Sequence, residues 1–185
     1  MADLVIHTAS MANRTALRLM QAHAMRQLGA DFYPRNAVDA FISEIGTMDD
    51  HLIEDGTYFI ASLGGILVGA GGWSMRQASY SRCNSVDDPA ASVPKATVRS
   101  VYVHPTWARR GIGGKLMKRI EQSILAAGFA NASLTATLSG VPLYQHLGYR
   151  SGRPVNLSLP GGVNFGALEM AKPLSGPILK QDVAV

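Results

Sequence analysis

Arg109-Arg110-Gly111-Ile112-Gly113-Gly114 puts two guanidinium groups beside three glycines within six residues. Glycine removes the Cβ that would keep an anion away from main-chain N–H groups. The first N–H groups of a helix have no internal partner and lie at the positive end of its dipole. A run of this composition that opens a helix therefore makes a pyrophosphate site. The same glycines could equally serve a helix start packed tightly on a strand. Two nucleotide motifs are excluded: there is no Gly-Lys-Ser/Thr ending, and no Gly-x-Gly-x-x-Gly directly after a strand with an acid about 20 residues on. Other reactive side chains are scattered. Cys83 is the lone cysteine, so no internal disulfide can form, and no Cys/His group has metal spacing. Glu44, Asp49, Asp50, His51 and Glu54 crowd one stretch, where any of them could orient a water or hold a cation, or stand as a solvated charge. His7, His23, His104 and His146 have no partner visible in the sequence.

The elements that must position the glycine run read clearly on either side of it. Residues 97–103 carry Val98, Val101 and Val103 and predict a strand that His104-Pro105 stops. From 111 to 127, Ile112, Leu116, Ile120 and Ile124 step by four, which predicts a helix ended by Gly128. A strand over 132–138 and a short helix over 141–147 follow, closed by Gly148. Upstream, a strand at 4–6 leads into a helix over 11–28, and a second helix is expected over 37–45. Residues 57–61 and 66–73 flank Gly64-Gly65 as an antiparallel hairpin. Residues 155–159 and 165–170 flank Pro160-Gly161-Gly162 as a terminal hairpin. Residues 74–95, rich in Ser, Asp, Pro and Arg, read as a long loop. This order predicts an α/β protein with a mixed, mostly antiparallel, twisted sheet and helices on both faces.

The chain's 185 residues suit one domain, expected over 1–173, with a loose tail at 174–185. Net charge is +4, and Arg109, Arg110, Lys115, Lys118 and Arg119 cluster in one turn and helix. Such a patch suits a phosphorylated ligand better than a nucleic-acid track, and no exposed aromatics interleave to stack bases. The first residues have no basic region before an apolar run, and no stretch approaches the ~18 apolar residues of a membrane span. A cytoplasmic protein without nucleic-acid or membrane partners is expected.

Val101-Tyr102-Val103-His104-Pro105-Thr106-Trp107-Ala108-Arg109-Arg110-Gly111-Ile112-Gly113-Gly114-Lys115-Leu116 closely resembles the acetyl-CoA-binding motif of the GNAT superfamily of N-acetyltransferases, Gln/Arg-x-x-Gly-x-Gly/Ala. One position departs: Ala108 stands at the Gln/Arg site, with arginines at the next two. Val141-Pro142-Leu143-Tyr144-Gln145-His146-Leu147-Gly148-Tyr149 resembles the family's Phe-Tyr-x-x-Leu-Gly-Phe/Tyr signature and begins 27 residues beyond Gly114. Where family members often carry Asn at the end of the intervening strand, this chain has Thr137.

The resemblance implies that acetyl-CoA is the acyl donor and that no metal takes part. Its pyrophosphate would meet Arg109, Arg110, Gly111, Ile112, Gly113 and Gly114, and its pantetheine arm the main chain of Val101 and Val103. It implies Tyr144 as the acid that protonates the departing thiolate, and a main-chain N–H near Val103 for the oxyanion. Relatives often carry a basic Glu where this chain has Thr97, which cannot serve. The acceptor would be a primary amine of a small molecule or protein, attacking directly in a ternary complex. Trp73 and Tyr80, at the long loop, are expected to line its pocket. Family members often form homodimers, which makes a second copy a candidate partner. The alternatives are a non-catalytic acyl-CoA binder or sensor of the same fold, and a nucleotide or nucleic-acid binder.

Overall fold

Residues 3–76 and 95–174 are described by the structure, a computed structural model. Within them lies one seven-stranded sheet in the order β1-β2-β3-β4-β5-β7-β6. The strands are β1 (Leu4–Thr8), β2 (Tyr58–Leu63), β3 (Ile66–Ser74), β4 (Ala96–Val103), β5 (Asn131–Thr137), β6 (Arg150–Leu159) and β7 (Val163–Pro173). Neighbours run antiparallel except β4 and β5, which are parallel. This is the expected mixed, mostly antiparallel sheet.

Side-chain alternation along β2 supplies both faces of the sheet. Phe59 and Ala61 join the core under α4 (Ile112–Ala126), where Ile112, Leu116, Ile120 and Ile124 are all buried. Tyr58 and Ile60 point the other way, onto Leu17, Met20 and Ala24 of α1 (Arg14–Leu28). The period of two in the strand and the step of four in the helix thus meet in one core. A third cluster joins Met25 and Tyr33 to Phe165, Leu157 and Leu159 of the terminal hairpin.

Two features of β4 set up the functional region. It pairs with β5 only through Ala96↔Ala132 and Thr97↔Ser133, after which the strands part. On its other edge, Gly72 pairs with Arg99 but Ala70 with Tyr102, so β4 carries an extra residue. Ser100 takes up that bulge in the left-handed region, with φ 53°. A bulge bends and twists its strand, here just where β4 leaves β5.

Element boundaries differ from expectation where tertiary contacts decide them. The helix expected over 37–45 begins earlier, as α2 (Arg35–Ala40), and widens into a π-helical turn, Phe41–Ile45, before Gly46 at φ 81°. A four-residue helix, α3 (His51–Glu54), follows where only a charged stretch was read. The terminal strands outrun their apolar cores: their ladder resumes at Arg150↔Ala171 and Ser151↔Met170 beyond an irregularity, which the Arg153–Glu169 ion pair, 3.0 Å long, spans. Helix α5 (Val141–His146) falls as expected.

Candidate active site

Gly111 caps α4 in the left-handed conformation, φ 80° and ψ 0°, and Arg109 two residues earlier is also left-handed, φ 62°. Such alternation curls successive N–H groups around a concavity that suits an anion. Lys115 N donates to Gly111 O at 3.1 Å, the first bond of the helix. The N–H groups of Ile112, Gly113 and Gly114 thus precede the helix's own ladder. No acidic side chain occupies the first turn. The two arginines separate: Arg109 lines the adjoining cavity, while the Arg110 guanidinium lies over the Trp107 ring, 4.9 Å from its centroid.

That cavity has a volume of about 660 Å³. It begins at Arg109, Gly111, Gly113 and Gly114, passes between residues 98–103 of β4 and Leu134, Thr135 and Thr137 of β5, and reaches Met25, Phe41, Ile45, Leu157 and Phe165. The parted strands are therefore its walls. His104 N donates to Val68 O of β3 at 2.9 Å. Main-chain groups alternate edges along a strand, so the N–H groups of Val103 and Val101 belong to the opposite edge, which faces the gap. Gly113 sits tightly here: a Cβ on it would lie 3.0 Å from Leu143 Cδ2 and 3.7 Å from Val103 Cγ2.

Tyr144 of α5 also lines the cavity and is 8% exposed. Its ring meets Tyr149 edge-on, with centroids 5.7 Å apart. Burial pushes its phenol well above the usual tyrosine range. It is therefore a protonated donor at any physiological pH.

A buried polar chain supports the bulge. Thr47 Oγ1 donates to Gln21 Oε1 at 2.8 Å, Gln21 Nε2 donates to the Tyr58 hydroxyl at 2.6 Å, and that hydroxyl donates to Ser100 O at 2.7 Å. The carbonyl of the left-handed residue is thereby held from α1 and β2. None of these residues stood out in the sequence. Each lies in an ordinary apolar or polar context, and its partner is 26 to 42 residues away.

Of the charged stretch at 44–54, Asp49 reaches the cavity wall. Its carboxylate lies 3.2 Å from Nη1 of Arg99, whose side chain is 8% exposed and also lines the cavity. Arg99 Nη2 donates to Arg76 O. Asp50 is engaged by Arg14 and Arg18, and His51 pairs with Glu54 on the surface. Glu44 is exposed beside Ser43. Thr97 contacts only the Ser133 hydroxyl, at 3.4 Å, among the described hydrogen bonds.

Trp73 does not fit the pocket-lining role expected of it. It is 3% exposed in the core beneath α4, where Nε1 donates to Ser123 Oγ at 2.9 Å and the ring meets Phe129 edge-on. The strand alternation that carries Trp73 toward α4 takes it away from the gap. Tyr80, and the loop around it, lie outside the described residues.

The chain is similar over its whole described fold to several solved structures. A GCN5-related N-acetyltransferase from Rhodopseudomonas palustris superposes with a TM-score of 0.72 at 20% identity, covering 94% of this chain and 98% of that one. The PaiA N-acetyltransferase of Thermoplasma acidophilum, in complex with coenzyme A, gives 0.67 at 15% identity, covering 92% and 99%. A polyamine N-acetyltransferase of Drosophila melanogaster gives 0.64 at 18% identity, covering 93% and 100%. No curated protein sequence matches. The sequence pattern of the acetyltransferase (GNAT) domain matches residues 54–151, more than half the chain, from α3 through the bulged strand and the glycine turn to the start of β6. The chain belongs to the GNAT acetyltransferase family.

Proposed function

We propose that this protein transfers the acetyl group of acetyl-CoA to a primary amine by direct attack in a ternary complex. The observation that carries the reading is the continuous cavity from the turn before α4, through the β4–β5 gap, to the opposite face of the sheet. Coenzyme A, the ligand of the Thermoplasma relative, is the expected occupant of the first two parts. Its pyrophosphate takes the N–H groups of Gly111, Ile112, Gly113 and Gly114, with Arg109 supplying charge. Its pantetheine arm pairs with the free edge of β4 at Val101 and Val103.

The thioester then lies in the gap. As the amine attacks the carbonyl carbon, the oxygen gains negative charge and is met by a strand N–H at or near Val103. The carbon–sulfur bond breaks, Tyr144 gives its proton to the departing thiolate, and the proton shed by the attacking nitrogen as the amide forms is taken up by water and restores the phenol. The amine must arrive neutral. Asp49 is already engaged by Arg99 at 3.2 Å, so the reading assigns no side chain to that deprotonation.

Calorimetric titration with acetyl-CoA, with ADP as control, tests the donor site. Micromolar binding of acetyl-CoA, much weaker binding of ADP and loss of the former in Gly113→Glu are expected. That glutamate would bring a carboxylate to the pyrophosphate and push Leu143. Equal affinity for any polyphosphate would refute the reading. Tight acetyl-CoA binding without thiol release for any amine would favour a non-catalytic binder.

A further inference from the structure

The far end of the cavity has a chemistry of its own. Met25, Phe41, Ile45, Leu157 and Phe165 wall it. Its aromatic side is firmly built: Phe165 is fully buried, Tyr33 stacks on it at 4.0 Å, and Phe41 lies against it at 4.5 Å. Tyr33 is itself fixed, donating to Gly166 O at 2.7 Å and accepting from Leu138 N at 2.6 Å. These residues come from α1, the π-turn and the terminal hairpin.

The charges around this chamber are already balanced. Four of the cavity-lining residues bear titratable charge: Asp49, Arg99, Arg109 and His146. Arg109 and His146 belong to the donor end, on the turn before α4 and on α5. Asp49 and Arg99 face each other. The neighbouring carboxylates are held as well, Asp50 by Arg14 and Arg18, and Asp55 by Arg76 at 2.6 Å. A second ammonium group entering here would lose its water and find the one described carboxylate of the wall, Asp49, engaged by Arg99, while Glu44 lies exposed beside Ser43 and does not line the cavity. Desolvating a charge without a partner is strongly unfavourable. An apolar body, by contrast, gains from the same walls.

We infer that the acceptor is a monoamine with a compact apolar, preferably aromatic, body, and that polyamines are rejected. The inference rests on the transferase reading above and names the substrate class of the same site. The amine nitrogen reaches the thioester at the gap while the apolar body fills the chamber behind it. Ile45 is the position where that selectivity can be inverted. It is half-buried on the π-turn, lines the cavity and has no place in the donor site.

The test is a thiol-release assay on the full chain with acetyl-CoA and a panel of 2-phenylethylamine, 3-phenylpropylamine, hexylamine, agmatine and spermidine. The expected result is a kcat/KM for the phenylalkylamines at least ~100-fold above those for agmatine and spermidine, the order by which an apolar pocket rejects even an added neutral hydroxyl. Ile45→Asp should narrow that ratio by tenfold or more with acetyl-CoA affinity by calorimetry near wild type, while the packing it gives up against the Leu157 and Phe165 cluster lowers the thermal midpoint. If Ile45→Asp does not fold, the wild-type ratio alone decides. Polyamines turned over as well as or better than phenylalkylamines would overturn the inference and leave the transferase reading standing. Hexanoyl-CoA used faster than acetyl-CoA, with no preference among amines, would assign the chamber to the acyl chain and also overturn it. Thiol release with none of these amines would overturn the inference, and the transferase reading falls with it only where calorimetry also shows no preference for acetyl-CoA over ADP.

Discussion

Gly111→Ala isolates the backbone's part in cofactor binding. Gly111 holds φ 80° and ψ 0°, and nothing lies within 4 Å of where its Cβ would stand. The substitution therefore causes no clash, and its whole effect is the cost of a left-handed alanine, about 1–2 kcal/mol. The protein can meet that cost in two ways. If the turn stays left-handed without ligand, stability falls by the full amount, which lowers Tm by roughly 2–8 °C in a chain of this length. If the turn relaxes instead, the N–H groups of Ile112, Gly113 and Gly114 swing off the anion site, and binding must restore them. Affinity for acetyl-CoA then falls about 5- to 30-fold. The two losses are linked and sum to the same 1–2 kcal/mol, so the Tm of the saturated protein reports the total however it divides. Calorimetry and differential scanning with and without acetyl-CoA measure both parts. Gly114→Ala separates the Cβ from the backbone conformation: its Cβ would meet only Leu147 Cδ2, at 4.0 Å, inside the helix. Helix propensity should raise its stability by up to about 1 kcal/mol, so a fall in affinity there reports the Cβ at the anion site and not a change of turn. Wild-type stability and wild-type affinity together in Gly111→Ala would refute the argument that this turn aims the anion site.

Three further outcomes are expected. Tyr144→Phe should lower kcat by about 10²–10⁴-fold with little change in acetyl-CoA affinity; an unchanged kcat would mean that the thiolate leaves without this acid. Tyr58→Phe removes the hydroxyl that donates to the Ser100 carbonyl and leaves the Gln21 amide nitrogen only the weak acceptor Met48 Sδ, at 3.7 Å. It should cost about 1–3 kcal/mol in urea unfolding and lower kcat more than it raises KM for acetyl-CoA, and equal effects on both would argue against a role in shaping the bulge. Burial raises the phenols of Tyr33, Tyr58, Tyr144 and Tyr149 above their ordinary 10.0, so folding favours their protonated forms. The stability they contribute is fully present below about pH 10 and is lost as pH rises past it, because the unfolded chain then releases protons the native chain keeps. The urea midpoint should fall steeply above about pH 10, and Tyr144→Phe should lessen the fall.

The strand, glycine turn and helix proposed to form the donor side were legible because their determinants are local. Glycines, a β-branched strand and an apolar step of four occupy one continuous stretch, and each dictates its geometry through neighbours at most four residues away. The parallel contact of β4 and β5 was legible only as topology. Its brevity, Ala96↔Ala132 and Thr97↔Ser133, depends on the extra residue at Ser100, and nothing in Val98-Arg99-Ser100-Val101 marks a bulge. The far chamber of the cavity was illegible for the same reason. Phe41 and Phe165 are ordinary core residues until a π-turn and a hairpin 124 positions away set them on one wall. Trp73 misled because an aromatic beside a long loop looks like a pocket residue, while the parity of its strand had already turned it toward α4.

The bulge explains why one sheet can serve two substrates. A regular parallel pair would close β4 onto β5 with main-chain hydrogen bonds and seal one face of the sheet from the other. Ser100 breaks that regularity, and its carbonyl is held on the α1 side by Tyr58, Gln21 and Thr47 rather than by a strand. In the proposed reaction acetyl-CoA enters from the α4 side and the amine from the α1 side, so the two meet only inside the gap that this residue opens. Thr47 lies beside Asp49 and Ile45 on the cavity wall and is also the outer end of the hydrogen-bonded chain. An acceptor that displaces the 45–49 segment therefore acts on the strand whose N–H groups face the thioester. The proposed acceptor wall and the proposed oxyanion site are thus joined through three hydrogen bonds, two of them buried, and a substitution at Gln21 should alter amine discrimination without touching either substrate.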